Sequence, residues 1–191
     1  FTSDLAYFDR GTTIKSGGAG KKILVQGKKN VGVSIAKFLS SAANTNPIAN
    51  ISDLNVTLAG EESIGFLRNK DYSSNNTNDM VFDSTTMGIF ELGKGAKNST
   101  LIRTDKYGIQ VRKDISSTGK DDDGKDNTGT GNTVLHANGK DQHIHNYNKI
   151  TVGKGFTQTT GMAATGIATT AKVNILNEGT IEIQGKKGIG M

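Results

Sequence analysis

Short apolar–polar alternations recur along the chain, as in Val173-Asn174-Ile175 and Ile181-Glu182-Ile183. A period of two puts one face of a strand in a core and the other in water. No apolar run approaches the 18 residues of a bilayer span. One eleven-residue frame occurs three times: "ILVQGKKNVGV" at 23–33, "VTLAGEESIGF" at 56–66 and "IEIQGKKGIGM" at 181–191. Each copy has apolar residues at its first and third places, a glycine corner with two charged residues, and a glycine between two apolar residues. The chain is a repeat.

The apolar-Gly-apolar triplet serves as a ruler. Its central glycines are Gly32, Gly65, Gly88, Gly108, Gly166 and Gly190, separated by 33, 23, 20, 58 and 24 residues. Three intervals cluster at 20–24, enough for three short strands and their turns. That length predicts an all-β chain wound as a right-handed parallel β-helix of about six to eight coils, each unstable alone and stacked on the next. Residues 1–191 are read as one β-helix segment. Lateral loop or short-helix excursions are expected near 34–50 and 114–133, the second the more mobile. In the first, "SIAKFLSSAAN" (34–44) places Ile35, Phe38 and Leu39 on one face of two helical turns. Ile23, Val25, Val56, Leu58, Ile181 and Ile183 should stack inward. Gly27, Gly60 and Gly185 should turn corners at positive φ. Gly32, Gly65 and Gly190, each between two inward residues, should face outward.

Composition agrees with a strand-rich, turn-rich chain: 25 Gly against one Pro, 34% hydrophobic and 6% aromatic residues. The net charge of +5 comes from 23 basic and 18 acidic residues mixed along the sequence. No basic-aromatic patch of a nucleic-acid reader is present. The absence of cysteine excludes a disulfide framework and a thiolate zinc site. The first residue is Phe1 and no signal peptide precedes it, so the reading is of a segment from a longer array.

"NEGTIEIQGKKGIGM" and "ILVQGKKNVGV" resemble the repeating units of the large type V autotransporter adhesins of fusobacteria and their relatives. Those units have the form Asn-x-Gly-x-Ile-x-Ile-x-Gly-x-x-x-apolar-Gly-apolar. The match covers about half the chain, clearest at 23–33, 55–66 and 146–191. The resemblance implies a β-helical passenger, anchored at the outer membrane and exposed on the bacterial surface. It would attach to proteins or glycans of host or partner cells, with no cofactor and no catalysis. No ligand residue belongs to the repeat motif, so none carries over.

Two clusters invite chemistry. Asp121, Asp122, Asp123 and Asp126 surround Gly124 in "STGKDDDGKDNTGTGNT" and form a candidate binding loop. An EF-hand frame centred on Gly124 fails, because Gly119 and Thr130 would be its end ligands. A calcium-ordered repeat protein remains an alternative. His143 and His145 flank Ile144, so an inward Ile144 turns both imidazoles outward. A metal site would also need His136 or an Asp from another coil. A polysaccharide-degrading enzyme is a further alternative. Its acidic or basic cluster should lie on strand positions of adjacent coils, whereas the one dense Asp cluster here lies in a loop. "GGAGKK" lacks the spacing of a phosphate loop, and no Gly-x-Ser-x-Gly elbow occurs.

Overall fold

The computed structural model describes residues 13–16, 20–35, 50–69, 79–105, 108–121, 123–139, 142–166 and 175–191. Among them every named element is a strand and every strand pairing is parallel. The strands stack as a parallel β-helix of about four complete turns with partial turns at both ends, fewer than the six to eight expected.

Each turn runs through three faces. Face I comprises Met80–Phe82, Gly108–Val111, His143–Asn146 and Ile175–Asn177. A small two-stranded sheet, Thr13–Ile14 with Asn50–Ile51, leads into face II in the first two turns. Face II holds Ile23–Val25, Leu54–Leu58 and Met87–Leu92 in one sheet, then Ile115–Ser117, Lys149–Val152 and Thr180–Ile183 in another. Between these two sheets the Leu92 N–H donates to Ser117 Oγ at 2.9 Å in place of a backbone ladder. Face III stacks Val31–Ile35, Ile64–Arg68, Thr100–Thr104, Thr133–Asn138 and Thr160–Thr165.

Stacked partners on face III are Val33, Phe66, Ile102, Leu135 and Met162, which are 33, 36, 33 and 27 residues apart. The turn is therefore 27–36 residues long, not 20–24. The glycine ruler mixed faces: Gly32 and Gly65 share face III, but Gly88 lies on face II and Gly108 on face I. The interval of 33 was the period, and those of 23 and 20 step between faces.

The expected inward residues do stack. Val56 pairs with Ile23 on one side and Phe90 on the other, Leu58 likewise with Val25 and Leu92, Ile150 pairs with Ile181, and Val152 with Ile183. Phe66, Phe82 and Phe90 enter from the three faces and meet edge to face, with centroids 4.9 Å apart for Phe66–Phe82 and 5.6 Å for Phe82–Phe90. Such geometry adds to the burial of each ring.

Two glycine roles are corrected. In face III the pairing skips residues 32, 65, 101, 134 and 161. There the chain bends so that this residue also points inward: Leu101 and Val134 are fully buried. A Cβ on Gly65 would lie 2.6 Å from the Leu101 carbonyl oxygen and 3.3 Å from Val56 Cγ1, so the glycine clears an interior contact. At the next corner Gly27 has positive φ, but Gly60 and Gly185 do not. A Cβ on Gly60 would sit 2.8 Å from Gly27 O, so close stacking of coils requires that glycine. A left-handed residue recurs at this corner once per turn: Lys29, Glu62, Asn98, Gly131, Gln158 and Lys187.

A buried polar ladder ties these corners together. Asn30 N donates to Ser63 Oγ (3.0 Å), Ser63 N to Ser99 Oγ (2.9 Å), and Ser99 N to Asn132 Oδ1 (3.1 Å). Asn132 Nδ2 returns a bond to Ala96 O at 2.9 Å. The sharp corner leaves backbone groups that no strand can satisfy, and small polar side chains supply the partners. Outside it the bridged residues Lys28, Glu61 and Lys97 alternate in charge, with contacts of 3.5 and 3.2 Å. Stacked like charges would repel, which accounts for Lys-Lys in one copy and Glu-Glu in the next.

Ser34 and Ile35 lie in a face III strand rather than in an excursion; the rest of the candidate helix, 36–44, falls outside the described residues. The second excursion narrows to 118–128. Ile115 and Ser117 are buried in face II, and Gly129–Thr130 pairs with Ala96–Lys97 and Phe156–Thr157.

Candidate functional site

The Asp tract closes on itself. Asp121 accepts from Lys94 Nζ (2.8 Å) and from the N–H groups of Lys125 (2.9 Å) and Asp123 (3.1 Å). Asp126 faces Lys120 at 3.3 Å, and Asp123 is exposed. Asp122 lies outside the described residues. Asp121 and Asp126 are thus each satisfied by a lysine and do not converge on a common point. Asp126 also edges a shallow polar groove of about 200 Å³, lined by Ser117, Thr118, Asn127, Lys154 and Gln184.

A second constellation lies on the outer side of face I. Ile144 is fully buried and stacks on Ile109 and Ile175, so His143 and His145 face outward as the alternation predicts. His143 Nε2 is 2.7 Å from Asp79 Oδ1, two turns back. The two are in reach because the intervening residue is Gly108, where a Cβ would collide with both side chains. Asp79 Oδ2 accepts from Gln110 Nε2 at 2.8 Å, and Gln110 Oε1 accepts from Arg112 Nη2 at 2.8 Å. The Arg112 guanidinium lies 5.0 Å from the Tyr147 ring centroid. Tyr147 meets His145 edge on at 6.3 Å, and His145 stands 5.0 Å from His143. Six side chains from three successive turns form a closed circuit.

Only the two histidines of this circuit were legible in the sequence. With a period near 33, Asp79, Gln110 and His145 fall in neighbouring rows, and that spacing was the missed signal. His136 does not join them; it lies on face III, 2.9 Å from Thr165 Oγ1. Among the described residues no group of three His, Asp or Glu side chains is arranged to hold a metal ion. The enzyme alternative required an acidic or basic cluster on strand positions of adjacent coils; here Gln110 and His143 lie on strands of adjacent turns, while Asp79 and Arg112 flank the strands Met80–Phe82 and Gly108–Val111.

Burial holds His136 and His145 below the ordinary imidazole value of 6.5, with Arg103 adding to the effect at His136 and His143 at His145. Asp114 is held below the ordinary carboxylate value of 3.8 by the Lys149 N–H and then the Asn148 amide. Thr85 does the same for Asp83, through its hydroxyl and N–H. For a histidine with a lowered folded value, the unfolded chain takes up protons first, so stability falls as pH drops through about 6.5. For these aspartates stability is present above their unfolded value and is lost as pH falls through the folded one. The melting temperature should therefore hold from about pH 8 to 7, decline below about 6.5, and fall again in the acid carboxylate range. Circular dichroism melts will show this, and a His136→Gln, His145→Gln double variant should flatten the first decline. An unchanged first decline in that variant would refute the assignment.

Among the described residues no helix is long and apolar enough to cross a membrane. Comparison with known protein families, curated proteins and solved structures finds no match to this chain.

Proposed function

We propose that the chain is a segment of a surface-exposed autotransporter passenger, a shaft that attaches its bacterium to proteins or glycans of host or partner cells. One observation carries this reading. The interior is consumed by stacked side chains, while the groups able to recognise a ligand sit in shallow outer rows repeated turn by turn. Shallow sites bind weakly one at a time and gain strength from many copies on one cell. The repeat motif supports the passenger identity and the location at the outer membrane.

Beads coated with the purified segment should be retained on cultured epithelial cells or on partner bacteria well above albumin-coated beads, and soluble segment should compete. Retention no better than albumin on every cell type would end the reading. Deleting 118–128 should leave the strand spectrum intact, and will reduce retention where that loop makes the contact.

The face I circuit favours a second reading, a polysaccharide-degrading β-helix enzyme. Asp79 paired with His143 resembles an oriented acid–base couple, with Arg112 available to a substrate carboxylate. Turnover of a polyuronate, lost in Asp79→Asn, would establish it in place of the first.

A further inference from the structure

The outer rows of face I form a grid. His143, His145 and Tyr147 follow one another along one turn, with Gly108, Gln110 and Arg112 beside them on the turn before. On the following turn Leu176 neighbours His145 and is 36% exposed. One side of the grid thus presents rings and an alkyl group. The other presents a guanidinium, an amide and a carboxylate whose orientations are set by the Asp79–Gln110–Arg112 chain of hydrogen bonds. Arg112 is exposed, and both its Nε and its Nη2 are directed to Gln110, at 3.1 and 2.8 Å.

We propose that this face, centred on His145, Tyr147 and Arg112, is a subsite for one pyranose ring of a glycan. The inference rests on the attachment reading above and names its ligand. A pyranose has an apolar C–H face that lies against rings and a rim of hydroxyls that pairs with planar polar groups. A well-formed site of that kind combines aromatic surface with a few fixed polar groups, and the circuit supplies both without a deep cleft. Prior fixation lowers the ordering cost of binding, since the long Arg and Gln side chains are already held. A nucleic acid is disfavoured, because Asp79 and Glu178, both near enough to His145 to favour its charged form, offset the charge of Arg112. A peptide strand has no open sheet edge here, as each central face I strand is paired on both sides. The strand spacing of about 4.8 Å brings successive turns close to the length of one sugar residue, so a glycan running along the axis meets one row after another.

The chain has three histidines, and the third provides an internal control: His136 lies on face III. Proton NMR of the imidazole Hε1 signals is the measurement, with methyl glycosides of glucose, galactose, N-acetylglucosamine and N-acetylneuraminic acid as probes. At least one should shift His145 and His143 saturably, with a millimolar midpoint typical of a single sugar, and leave His136 unmoved. Tyr147→Ala and Arg112→Ala should each weaken that binding at least tenfold with the strand spectrum unchanged. No shift with any glycoside, an equal shift of His136, or binding undiminished in both variants would overturn the subsite. If bead attachment persists while the subsite fails, the attachment reading stands alone. Sugar binding without attachment would have the reverse meaning.

Discussion

Replacing Phe66 with alanine should lower the unfolding free energy by about 3–5 kcal/mol, the usual cost of emptying a fully buried aromatic site. Phe66 has no exposed surface and lies 4.9 Å from Phe82 and 6.5 Å from Phe90, centroid to centroid. Its neighbours come from the other two faces and from the next turn, so the ring joins two turns as well as filling one. A solenoid interior has little freedom to collapse on a void, because each strand is held in register above and below. Urea denaturation should show a fall in midpoint, and Phe66→Leu should restore most of it. A loss below about 1 kcal/mol would mean that the three rings do not form the cluster described.

Asn132→Leu should cost about 1–3 kcal/mol, the usual cost of one buried group left without a partner. The substitution keeps the branched shape and removes two bonds at once, leaving the Ser99 N–H buried without its partner and taking from the Ala96 carbonyl the bond it accepts besides its strand pairing. Asn132 is 1% exposed, so water cannot stand in. Leucine at Asn30, at the exposed end of the same ladder, should change stability far less. Equal effects at the two sites would contradict a ladder that depends on burial.

Much of the fold was legible because it depends on local rules. Alternation identified Ile23, Val25, Val56 and Leu58 as inward and turned His143 and His145 outward, since successive side chains on any strand point to opposite sides. The period was misread because apolar-Gly-apolar has different causes at different places. At Gly65 the glycine clears the interior. At Gly88 it sits in a bulge where Asn55 Oδ1 accepts from the Ile89 N–H at 2.6 Å. At Gly108 it opens a path between Asp79 and His143. One pattern in the chain thus answers three spatial needs. The Asp tract drew attention through density of charge, yet Asp121 and Asp126 are each paired with a lysine, Lys94 and Lys120.

A β-helical repeat chain and the apolar side of its regularly alternating strands can be read from the residues alone. These follow from short-range periodicity and recurring motifs. The length of a turn, the left-handed column at the corners, the serine–asparagine ladder and the face I circuit emerge only when the turns are stacked. All four depend on which residues lie above one another. That register is set by how many residues each connection spends between faces, and turns of 27 to 36 residues share no constant spacing from which to infer it. Asp79 and His143 are 64 residues apart in the chain and 2.7 Å apart in space, and only stacking brings them together.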